Sequence, residues 1–323
     1  MKHLRNLTAA AALPLASAIF ASAVFASATP ASAQDTLKMT IGQRGNWDTA
    51  ITQLGTKAGI FKKHGLELEM VYTSGSGETL QPVIGGAVEL GLAVGTLGAI
   101  AAYAKGAPTM RTGAADYWYA KSSSPIKTLQ DTNGRTIAYS TNGSSTNSVV
   151  RAFVSEYKLT AKPTPTGNPS ATLTAVMTDQ VDVGWAAPPF GLKELEAGTI
   201  RVVAKATDAA IVRGQTIRVL VANADALAKK KAVIERFMQA YRESIDYMYS
   251  DNPQVIKDYA EFVGIPESLA KRTRDEFFPK SLINPDKIEG LDSLSAEAVT
   301  LKFIPAPLTA EQTKELIQIV PRK

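Results

Sequence analysis

The segment Tyr139-Ser140-Thr141-Asn142-Gly143-Ser144-Ser145-Thr146 packs hydroxyls, an amide and a glycine just ahead of an apolar-periodic stretch. At the start of a helix such residues free several backbone N–H groups to face one point, where the helix-end partial charge favours an anion. A single capping hydroxyl from Ser144 or Thr141 would also explain part of the pattern. The expected ligand contacts here are Thr141, Asn142, Gly143, Ser144, Ser145 and Thr146. Ser74-Gly75-Ser76-Gly77 is a matching small-residue turn that lets a ligand approach the backbone closely, and Thr96 opens another helix after Gly95. Gln43-Arg44-Gly45-Asn46-Trp47 follows the first strand pattern, at the carboxyl end where open α/β sheets bind ligands. We expect Gln43, Arg44, Trp47, Ser74, Gly75, Ser76 and Thr96 on one wall, with Trp185 on the other. Arg44 and Arg218 are the candidate counter-ions, against the default of a surface arginine. Core packing is the alternative for both tryptophans.

These turns need elements to hold them, and the chain alternates strand and helix patterns. Residues 37–41, 66–72, 88–94 and 110–118 read as strands, with helices over 49–60, 77–84 and 96–104. A second run follows the Ser-rich connection at 121–124: strands at 136–139, 181–185 and 200–204, helices at 145–159, 171–177 and 188–197. An apolar strand returns at 216–222 and the remainder is mostly helical. Val233, Phe237, Met238, Tyr241, Ile245 and Met248 form an apolar stripe suited to core packing. The breaks near 117–124 and 213–218 predict two chain crossings. One lobe would hold 34–116 plus 219–323, the other 117–218, with a ligand cleft between them.

The first 33 residues read as an export signal. Lys2 and Arg5 precede an Ala/Leu-rich stretch over 7–25, and Ala31 and Ala33 suit cleavage near Ala33-Gln34. Pro14 and Pro30 argue against a membrane anchor, and the chain has no cysteine for acylation or disulfides. Beyond the signal, 33 basic residues face 30 acidic ones, too small an excess to indicate nucleic acid. His64 is then the one remaining histidine, so a histidine-rich metal site is excluded, and no cofactor is expected. Neither a Ser-His-Asp set nor a phosphate-binding G-x-x-x-x-G-K-[ST] loop is present.

Four ordered stretches resemble the substrate-binding proteins of nitrate/sulfonate/taurine and thiamine-pyrimidine ABC transporters. They are Gly55 to Leu66 with its Phe61-Lys62-Lys63-His64-Gly65, Ser74 to Gly77 followed by Gly86 to Leu92, Leu129 to Ala138, and Asp179 to Trp185 with Pro188-Pro189. The resemblance spans nearly the whole chain after the signal. It implies a two-lobe periplasmic binding fold, two mainly parallel sheets joined by a two-strand hinge. It also implies a monomeric, non-enzymatic, periplasmic role: delivery of a small ligand to a permease whose partner subunit hydrolyses ATP. In that family the turn at 141–146 commonly holds the ligand's acidic group. With hydroxyls, amides, arginine and aromatic walls, the expected ligand is a small organic anion, an alkyl sulfonate such as taurine or else a carboxylate. A thiamine-pyrimidine precursor is the alternative, because Asp116 or Asp182 could turn inward. The related pyrimidine synthase needs a histidine after the Gly86 to Leu92 element and a cysteine-rich stretch. Val94 to Gly98 has no histidine here. A transcription-factor effector domain would need a DNA-binding helix pair in place of the signal.

Overall fold

The computed structural model describes residues 34–103, 109–112 and 115–322. The export-signal residues therefore lie outside it, as does Ala104. Strand β1 (Asp35–Gly42) alternates exposed and buried side chains and then becomes wholly buried near its end. Helix α1 (Ile51–Lys57) and α2 (Ile60–Lys63) follow, separated at Gly59, whose φ of +74° breaks what the sequence pattern joins into one helix. Then come β2 (Leu66–Thr73), α3 (Ser76–Ile84), β3 (Leu90–Gly95) and α4 (Thr96–Tyr103). β2 turns Glu67 and Glu69 outward, whereas β3 is buried along its whole length, the signature of a central strand.

The predicted single strand over 110–118 is two strands serving two sheets. β4 (Thr109–Thr112) completes the first sheet, and β5 (Tyr117–Lys121) is the middle of the second. The second lobe continues with β6 (Thr136–Tyr139), α5 (Ser145–Glu156), β7 (Lys162–Pro165), α6 (Pro169–Met177), β8 (Gly184–Ala186), α7 (Leu192–Glu196) and β9 (Ile200–Lys205). β7 was not legible in the sequence because Lys-Pro-Thr-Pro reads as a connection. It is tolerated as an edge strand paired only with β6, where missing N–H donors cost least. α7 begins four residues later than the pattern suggests, after the Pro188-Pro189 turn. The chain returns through 206–217, which stays on the second core through Ala209, Val212 and Ile217. It re-enters the first sheet as β10 (Arg218–Ala222).

The helical remainder comprises α8 (Ala224–Lys229), α9 (Lys231–Met248), α10 (Pro253–Val263), α11 (Glu267–Arg272), α12 (Leu291–Thr300) and α13 (Ala310–Leu316). The α9 stripe is core, as its periodicity requires: Phe237 stacks on Phe61 at 5.6 Å and on Tyr241 at 5.8 Å.

The first sheet runs β2-β1-β3-β10-β4, and a second set of strands runs β8-β5-β9 with β6-β7 joined to it by a bridge from Ile137 to Val183. Both are mixed, not mainly parallel. β1, β2 and β3 are parallel, but β10 is antiparallel to β3 and β4, and β5 is antiparallel to β8 and β9. The cause is the crossing: a strand returning from the other lobe enters its sheet running the opposite way. Each sheet has its own core, the first built on Leu37, Met39, Leu92 and Phe237, the second on Trp118, Ile137, Phe153 and Trp185.

Candidate functional site

The loop after β1 is held rigidly. Gln43 sits at φ +59°, donates its backbone N–H to Thr73 O at 2.8 Å and accepts from Asn46 Nδ2 through Oε1 at 3.3 Å. Trp47 is fully buried in the first core: its indole N–H donates to Tyr249 OH at 3.0 Å and Tyr259 packs edge-on at 4.7 Å. An indole enclosed in this way walls the core and not a cleft. Arg44 points outward instead. Its guanidinium lies 4.3 Å from the Phe262 ring centroid and 6.0 Å from that of Tyr72, and Nη2 donates to Phe262 O at 2.9 Å.

Arg218 is buried where β10 begins, with Asp48 Oδ2 at 3.5 Å and Asp116 Oδ1 at 3.3 Å. Its charge is thus committed to two carboxylates, which corrects its assignment as a free counter-ion. Burial raises the Asp48 pKa from 3.8 to about 6, with Arg218 pulling the other way, and burial also raises Asp116. Burial opposes the arginine's charge, but the two acids hold its pKa above the ordinary value. Asp48 and Asp116 are enclosed, and the Arg218 guanidinium is the charge that compensates them.

Most side chains of the turn ahead of α5 bond within it. Ser144 caps the helix by accepting from Asn147 N at 3.1 Å, and Thr146 Oγ1 accepts from Ser140 N at 2.9 Å and lies 3.0 Å from the Ser140 and Ser144 hydroxyls. Asn142 Oδ1 accepts from Tyr139 OH at 2.7 Å. The turn presses on the first lobe. A Cβ built on Gly95 would lie 2.6 Å from Gly143 O and 2.8 Å from Ser145 N, and one on Gly75 would lie 2.7 Å from Thr141 Oγ1. Ser76 Oγ accepts from Gly95 N at 2.9 Å, and Thr96 Oγ1 donates to Thr216 O. Gly75, Gly77, Gly95 and Gly98 therefore meet 141–146 across the lobe boundary, while Ser76 and Thr96 brace the first-lobe side of that contact. Gly95 is also the β3 partner of Arg218, so the acid–arginine cluster adjoins this contact.

Beside it lies a cavity of about 430 Å³ with walls from both lobes: Arg44, Tyr72 and Ser74 on one side, Asn168, Ser170 and Phe190 on the other. Asn168 caps α6 by accepting from Ala171 N at 2.9 Å. Burial pushes the Tyr72 phenol up to about 12, with Arg44 working against it, so its unpartnered hydroxyl remains a neutral donor. A guanidinium propped on aromatic rings, with hydroxyls and an amide around it, can receive an anionic group.

A family model described as NMT1/THI5 like matches residues 46–255. The chain belongs to the NMT1/THI5-like family. No curated protein matches it. Among solved structures it is similar to the periplasmic aliphatic sulphonate binding protein SsuA of Escherichia coli, at 20% identity and TM-score 0.64, covering 89% of this chain and 94% of that one. The alkanesulfonate-binding SsuA of Xanthomonas axonopodis pv. citri, bound to MOPS, matches at 18% identity and TM-score 0.64, over 84% and 91%. The periplasmic nitrate-binding protein NrtA of Synechocystis PCC 6803 matches at 10% and 0.67, over 88% and 85%. At such identities these likenesses establish the fold, which is that of the periplasmic binding proteins.

Within this NMT1/THI5-like chain the expected residues separate into groups. Arg44 and Ser74 line the interlobe cavity; Gly75 meets the 141–146 turn; Ser76 and Thr96 bond to Gly95 N and Thr216 O beside it; Gln43 shapes the loop behind Arg44. Trp185 is fully buried in the second core, opposite Trp118 in the strand pairing, with its indole N–H unpartnered. Asp182 accepts from Thr136 N and Oγ1, each at 2.8 Å, a structural duty. Sequence reasoning missed Tyr72, Asn168, Ser170 and Phe190 as lining residues, and Asp48 as a buried acid. The Asn168-Pro169 pair is a helix-start signal that could have drawn attention to α6.

Proposed function

We propose that this protein is the extracytoplasmic, periplasmic solute-binding component of an ABC importer, taking a small organic anion between its lobes and delivering it to the permease. The observation that carries this reading is the two-walled cavity with the Arg44 guanidinium exposed in it. Family membership and the binding-protein fold support it, as does the absence, among the described residues, of any helix long and apolar enough to cross a membrane. Bodies 34–116 plus 219–323 and 117–218 would close about the two crossings, because a ligand touching both favours the closed state. An alkyl sulfonate is the first choice and a carboxylate the second.

A thiamine-pyrimidine precursor is the second reading, favoured by the match to the NMT1/THI5-like family model. A thermal-shift panel of sulfonates, carboxylates, nitrate and aminopyrimidines separates the two, since a ligand bound only by the folded state raises the melting temperature. Stabilisation by sulfonates or carboxylates is expected. Stabilisation by aminopyrimidines alone would transfer the assignment to the second reading, and catalytic turnover of any of them would refute a binding role.

A further inference from the structure

A second interlobe cavity, of about 750 Å³, adjoins the one at Arg44 and shares Pro169, Ser170 and Phe190 with it. Its character differs. Tyr119, Leu173 and Phe190 face it from the second lobe and Ile265, Pro266 and Leu269 from the first; its charged lining is Lys193, Glu194 and an ion pair from Arg272 Nη1 to Glu196 Oε1 at 2.6 Å across the lobe boundary. Phe190 is the partition between the two chambers and is fixed from both sides. Its carbonyl accepts from Tyr117 OH at 2.6 Å, and its ring rests on Gly45, where a Cβ would lie 2.9 Å from Cζ. A ligand limited to an acidic group and two carbons would leave the apolar walls of this chamber without a role.

Resting on the organic-anion reading, we propose that the chamber is a tail subsite. It takes the alkyl or aryl portion of an anion whose acidic group lies at Arg44. The ligand class is then an amphipathic anion with an extended apolar tail, passing beside Phe190 between α6 and α11. Tail burial removes apolar surface from water, whereas the head group's contacts at Arg44 are the same for every member of a homologous series.

The test is calorimetric titration of the purified protein with ethanesulfonate and hexanesulfonate, repeated on Leu269→Trp, which fills the chamber from a half-buried wall position. Hexanesulfonate should bind the unaltered protein at least about tenfold tighter than ethanesulfonate, four further methylenes being more than sufficient for that. In Leu269→Trp hexanesulfonate should lose that advantage, with ethanesulfonate affinity changed less than about threefold. Leu173→Trp, filling from the opposite wall, should do the same and guards against one variant failing to fold. Equal affinities for the two sulfonates in the unaltered protein would overturn the tail subsite and leave the anion reading standing. Binding of neither would overturn the anion reading itself, and the tail subsite with it.

Discussion

Arg44 is the residue on which the anion reading turns. Its rings fix the guanidinium and one carbonyl takes one donor, leaving others for a ligand. Arg44→Ala should weaken binding of a sulfonate by roughly 10- to 100-fold, the usual loss of hydrogen bonds to a charged group, read by calorimetry. Asp48 makes a different prediction. Its pKa rises on folding from 3.8 to about 6, so between those values the folded state holds more protons than the unfolded one. Stability from this group is therefore greatest below about pH 4 and declines as pH rises through 6, by about 3 kcal/mol in total. Carboxylates with lowered pKa, such as Glu89 and Glu243, have the opposite slope, so the comparison is with Asp48→Asn. Denaturation midpoints measured from pH 4 to 7 should fall more, or rise less, in the unaltered protein than in Asp48→Asn. Parallel profiles would contradict the assignment. Arg44 could be picked out from the sequence because it follows a strand end beside glycine. Asp48, four residues further on, looked like any loop acid, and its burial depends on Arg218 and Asp116 arriving from distant parts of the chain.

Among the elements, close packing decides the outcome of two glycine substitutions. Gly55 lies inside α1, where alanine normally gains about 1 kcal/mol. Here a Cβ would stand 2.0 Å from Ser244 Oγ of α9 and 2.7 Å from Phe61, so Gly55→Ala should lower the melting temperature. Gly95→Ala places its methyl against Gly143 O of the other lobe while leaving β3 intact. Ligand affinity should fall at least about tenfold with little change in thermal stability, a pairing that titration and a melting curve resolve. Equal losses in both would locate the damage within β3. Most elements were legible because β1, β2, α5 and α9 carry period-2 or 3.6 patterns. One failure has a general cause, in that local pattern does not report which sheet a strand joins. Residues 110–118 read as continuous although Thr112 pairs with β10 and Tyr117 with β8 and β9.

At the scale of the whole molecule, two cores meet along an interface that is closely packed at Gly95 and open at Arg44. The chain passes from the first sheet to the second between β4 and β5 and returns at β10. The placement of the site was only partly legible in the sequence. Phe190 and Leu269 become neighbours of one chamber through lobe packing that no local motif encodes. Saturating ligand should compact the molecule, and a radius of gyration unchanged in small-angle scattering would count against closure. The most direct measurement is a crystal structure of the protein with hexanesulfonate. The sulfonate should lie against Arg44, in contact with Ser74 on one side and Ser170 or Asn168 on the other, both lobes touching a single ligand. A sulfonate bound outside the cleft, or held by one lobe alone, would contradict the account.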